Sequence, residues 1–74
     1  MDIEARLRKL EARYRGALRA AVAAKANYLA LAGEPRATPY AIERAKALWL
    51  EFDMRKRGIA AQMGELEALA DAAY

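Results

Sequence analysis

Seventy-four residues allow one domain, of a size at which a single hydrophobic core is marginal. The chain has no cysteine, histidine or serine, which excludes disulfides, thiolate metal sites, the usual general base and the commonest hydroxyl nucleophile. A net charge of +3 with arginine outnumbering lysine is too mild for an obligate nucleic-acid binder, and the expectation is a non-enzymatic protein without cofactor or metal.

The first helix is expected over residues 2–32. Asp2 can cap it, and Glu4 sits well at the positive end of the helix dipole. Apolar residues recur at Ile3, Leu7, Leu10, Tyr14, Ala17, Ala21, Ala24, Tyr28 and Leu31. Their spacing alternates four and three, the seven-residue repeat of a coiled-coil seam. The middle of that seam is alanine, which lets a partner helix approach closely or admits a large side chain from it.

The segment Gly33-Glu34-Pro35-Arg36-Ala37-Thr38 concentrates helix-breaking chemistry. Gly33 is expected in the left-handed conformation that ends many helices. Pro35 opposes continuation, Thr38 can cap the next helix, and Pro39 suits a first helical position that needs no N–H. So short a turn favours antiparallel neighbours.

The second helix is expected over residues 39–73, with a matching repeat at Ile42, Ala45, Trp49, Phe52, Lys56, Ile59, Met63, Leu66, Ala70 and Ala73. Folded about the turn, facing residues have numbers summing to 73. Leu31 then meets Ile42, Tyr28 meets Ala45, Ala24 meets Trp49, Ala21 meets Phe52, Tyr14 meets Ile59 and Leu7 meets Leu66. Large side chains face small ones, as dense packing requires. Lys56 alone breaks the pattern. It either packs its stem over Ala17 and snorkels to water, or anchors an anion. Gly16, Gly58 and Gly64 lie within helices and mark either a close backbone approach or a softened helix.

Two surface features stand out. Leu18, Val22 and Leu29, with Lys25 among them, line one flank of the first helix, and Leu50 lies on the same side with Met54 just beyond. Such a patch marks an interface with a copy of the chain or with another protein. Arg13, Arg15, Arg19, Arg55, Lys56 and Arg57 fall at one level as a basic belt near mid-hairpin, partly neutralised by Glu11, Glu51 and Asp53. The belt is either solvated charge or a phosphate-binding surface. With Tyr14, Trp49 and Phe52 assigned to the seam, no aromatic is expected beside it to stack on bases.

The fold class is therefore all-α, a two-helix antiparallel hairpin with a coiled-coil-like seam, one domain over residues 1–74, expected to dimerise into a four-helix bundle. The expected function is a non-catalytic interaction or assembly module, with Leu18, Val22, Leu29, Leu50 and Met54 as the partner interface. The alternative is a dimeric hairpin that binds the RNA or DNA backbone through the basic belt. The start Met1-Asp2-Ile3-Glu4 has no targeting pattern and no stretch approaches the ~18 apolar residues of a membrane span, so a cytoplasmic location is expected. Richness in Ala, Arg and Leu suits a GC-rich bacterial or phage genome.

Overall fold

The computed structural model describes residues 2–73 as two helices, α1 (Ile3–Ala32) and α2 (Pro39–Ala73), packed along their length. The side chain of Ala73, expected in the seam, and the ends of the 1–74 domain lie outside the described residues. The hairpin is a rod of 57 × 15 × 14 Å. Among the described residues no helix is long and apolar enough to cross a membrane.

Both helix starts follow their capping chemistry. The Ala5 N–H donates to the Asp2 carboxylate at 3.2 Å, and the Ala41 N–H donates to the Thr38 hydroxyl at 3.1 Å. Each bond satisfies one of the donors that a helix start leaves without an intrahelical partner. Pro39 takes the first position of α2, where a missing N–H costs nothing.

The end of α1 departs from expectation. Gly33 is right-handed, with φ −88° and ψ −4°, and among the described residues no glycine has positive φ. The reason lies in how the last carbonyls are satisfied. Gly33 N–H donates to Leu29 O at 3.2 Å and Glu34 N–H to Leu31 O at 3.0 Å, so the final turn tightens to an i→i−3 bond and needs no left-handed residue. Glu34-Pro35-Arg36-Ala37 then makes a β-turn closed by Ala37 N–H on Glu34 O at 3.1 Å. Proline occupies its second position, for which the fixed φ is suited.

The anticipated seam positions are the ones the two helices turn toward each other. Leu10, Ala17, Ala21, Ala24, Ala45, Ile59 and Leu66 are buried, and the remaining described seam positions are half-buried. Leu10, Ala17, Ile59 and Leu66 form one cluster, with Ile3, Leu7, Tyr14 and Met63 packed against it. Nearer the turn the seam thins to alanine on α1, and the volume comes from Trp49, Phe52 and Tyr28. Among the described residues no side chain is fully enclosed. A pair of helices has one shared face, and every described seam residue touches solvent at its edge.

Candidate interaction surfaces

The seven-residue repeat gives the rod two flanks, one on each side of the seam. The first carries the apolar patch. Leu18, Val22, Leu29, Leu50 and Met54 are all exposed, with Val22 at 61% and Met54 at 71%. At its centre the Lys25 ammonium sits 5.5 Å from the Trp49 ring centroid, and the Tyr28 ring stacks on Trp49 at 5.6 Å. Lys25 therefore covers the half-buried edge of an aromatic pair instead of interrupting the patch, at a site where a cation over a ring is favourable.

The second flank holds two adjoining troughs. One, of about 490 Å³, is lined by Arg6, Lys9, Arg13, Gln62, Glu65 and Leu69 over Leu10 and Leu66. The other, of about 380 Å³, is lined by Arg13, Gly16, Ala20 and Arg55 over Ala17, Phe52 and Ile59. Arg13 is common to both. Closer to the turn, exposed Tyr40 and Leu48 add apolar surface beside Leu31.

The belt does not form one surface. Arg13 and Arg55 meet on the trough flank. By the repeat, Arg15 and Arg57 fall on the patch flank and Arg19 on the outer face of α1. The cations of α2 are also answered locally. Asp53 accepts from Lys56 at 3.1 Å and from Arg57 at 3.0 Å, and Arg55 lies 3.9 Å from Glu51. Lys56 is thus paired within its own helix. Its ammonium is held by Asp53, whose side chain is only 18% exposed. The Arg55 guanidinium also lies 5.5 Å from the Phe52 ring centroid, so an aromatic does stand beside the belt. Its ring is half-buried in the seam and its outer face is taken by the arginine.

The glycines have a simple reading within the chain. A Cβ built on Gly16, Gly58 or Gly64 would meet nothing within 4 Å, so no helix backbone approaches them inside the hairpin. The sequence reading passed over Arg6, Lys9 and Gln62 on the trough flank. Their signal was present in the spacing of Arg6, Lys9 and Arg13, which repeats the three–four alternation one position before each of Leu7, Leu10 and Tyr14. Leu48 and Leu69 stand likewise one position before Trp49 and Ala70, where the repeat already flags the same flank.

Among the described residues no group of three or more acidic, cysteine or histidine side chains could hold a metal ion. Comparison with protein-family models, curated proteins and solved structures finds no match.

Proposed function

We propose that the chain is a non-catalytic assembly module that pairs with a second copy through the flank bearing Leu18, Val22, Leu29, Leu50 and Met54. The observation that carries this reading is an excess of surface. The hairpin exposes 5730 Å², against about 4,500 Å² for a compact monomer of 8.2 kDa. The difference, about 1,200 Å² per chain, exceeds the ~800 Å² that each partner contributes to a standard stable interface. Its radius of gyration of 16.8 Å likewise exceeds the ~11 Å of a compact chain this long.

The position of the excess supports pairing. Leu18, Val22, Leu29 and Leu50 fall along one flank by the repeat, with Met54 just beyond, and all five are exposed; a two-fold axis would set this face against the same face of a copy, as isologous interfaces do. Docking would turn a two-helix seam into a four-helix bundle and close the core that the hairpin leaves open. The charges on this flank are of both signs, Arg15, Lys25, Lys46 and Arg57 against Glu11, Glu43 and Asp53, so self-docking does not set a face of one sign against itself.

The test is molar mass by light scattering together with helicity across a dilution series. The dimer is expected at twice 8.2 kDa in low and high salt, and Leu18→Asp with Leu50→Asp is expected to dissociate it. Charge reversal at Arg13 and Arg19, which lie off this flank, should leave the mass unchanged. A parent chain that stays monomeric at every concentration would overturn the reading.

A further inference from the structure

The trough flank carries a chemistry unlike that of the patch. Arg6, Lys9 and Arg13 succeed one another at spacings of three and four, so they follow one line along α1. Arg55 of α2 continues that line, because it shares the second trough with Arg13. In the register that pairs residues whose numbers sum to 73, Arg55 stands level with residue 18, and the line runs about 18 Å at 1.5 Å per residue.

The line has an uncompensated core. Among the described residues neither Lys9 nor Arg13 takes part in an ion pair, in contrast to Lys56 and Arg57, which share Asp53. The carboxylates nearby are Glu65 in the first trough and Glu51, which lies against Arg55. The floor between Arg13 and Arg55 is Gly16, Ala17 and Ala20, and the space above Gly16 is open. A negatively charged backbone can therefore approach over Gly16, with Arg13 and Arg55 on the walls of the same trough and Phe52 and Ile59 below.

We propose that this flank binds the phosphate backbone of a nucleic-acid duplex without regard to base sequence, with Lys9 and Arg13 as the central contacts. Laid along a duplex, the line covers about five base-pair steps at 3.4 Å of axial rise each, a stretch that offers more phosphates than the line has cations. Arginine forks grip phosphate oxygens bidentately. A single strand is the poorer fit, since its binding relies on stacking and the one ring lining the trough, Phe52, lies under Arg55. This flank stays open whether or not the opposite flank pairs with a second copy, so the two readings stand separately.

Fluorescence anisotropy with a labelled DNA duplex of about 20 base pairs, titrated with the full chain from about 50 to 200 mM salt, tests the assignment. The parent is expected to bind with log K falling against log salt at a slope near −3 to −4, about −0.9 per neutralised phosphate. Lys9→Gln with Arg13→Gln should reduce that slope by about 2 and weaken binding at least tenfold at the lower salt. Arg15→Gln with Arg19→Gln removes the same net charge from other faces and should change affinity by no more than about twofold. Circular dichroism verifies that both variants remain helical, which is expected because none of the four side chains is ion-paired among the described residues. Equal losses in the two variants would reduce the effect to net charge and overturn the site. So would absence of binding by the parent at about 50 mM salt. A polyglutamate peptide or single-stranded DNA that binds as tightly as the duplex would overturn the assignment to duplex phosphates.

Discussion

Tyr28 and Trp49 stack across the seam with ring centroids 5.6 Å apart and planes inclined by 16°, bridging two layers that a flat register would keep separate. The repeat sets Trp49 opposite Ala24 and Tyr28 opposite Ala45, and both alanines are buried. The two small residues free the space into which the rings lean toward each other. Lys25 lies over the same Trp49 ring.

Trp49→Ala is accordingly expected to cost about 3 kcal/mol, at the low end for deleting a core aromatic because the site is open at its edge. Chemical denaturation followed by far-ultraviolet circular dichroism measures it. Trp49→Phe should recover more than half of the loss, since an offset stack and an apolar contact persist. A loss below about 1 kcal/mol for the alanine variant would mean that the stack contributes little.

Asp53 ties together two cations that would otherwise repel. Asp53→Asn is expected to destabilise the hairpin by about 1 kcal/mol, a modest figure because Arg57 is exposed and its pair well solvated. The loss should shrink in high salt. In a Lys56→Met background, where the seam is apolar throughout, the same substitution should cost less. A double-mutant cycle reads the coupling directly, and a coupling of zero would show that the 3.1 Å contact of Lys56 with Asp53 is incidental.

The glycines give predictions of opposite sign to their usual role. Gly33→Ala should be neutral or slightly stabilising, because φ is −88° and the new methyl would meet Leu29 O no closer than 3.7 Å. Gly58→Ala should stabilise by up to ~1 kcal/mol, since the site is mid-helix and open. Thermal melts decide both. A marked destabilisation at Gly58 would reveal a close approach by something other than this hairpin's own helices.

Thr38→Ala removes the hydroxyl that accepts from Ala41 N–H at 3.1 Å and is expected to cost about 1 kcal/mol. Thr38→Ser should restore most of it. Equal stability of the alanine variant and the parent would imply that water replaces the cap without penalty.

The hairpin was legible in the sequence because three independent signals agree on it. The Pro35 and Pro39 punctuation fixes the turn, and each helix carries its own repeat. The register follows from the first and is satisfied by the other two, down to the burial of Ala17, Ala45 and Ile59. The exposure of Leu18 and Leu50 was equally legible, since the repeat leaves them outside the seam. Other features depend on quantities a repeat does not contain. Gly33 could end its helix in either hand, and the choice rested on whether Glu34 N–H reached Leu31 O. The belt was read by level along the rod alone, whereas the angle around each helix separates Arg13 from Arg15 and Arg19. The pairing of Lys56 with Asp53 is a three-residue spacing within one helix, hidden by attention to what faces it across the seam.

The constant sum that relates facing residues also orders events in time. Leu31 and Ile42 are joined by a short stretch of chain, Tyr14 and Ile59 by a longer one, and Ile3 and Ala70 by nearly all of it. Each layer closed next to the turn shortens the loop that the following layer must close, so the hairpin can zip outward while every step adds little entropic cost. Substitutions near the turn, such as Ile42→Val, are then expected to slow folding, and substitutions at the far end, such as Leu66→Ala, to hasten unfolding. Stopped-flow chevrons on the two variants would show the turn governing how soon the rod forms and the open end governing how long it lasts.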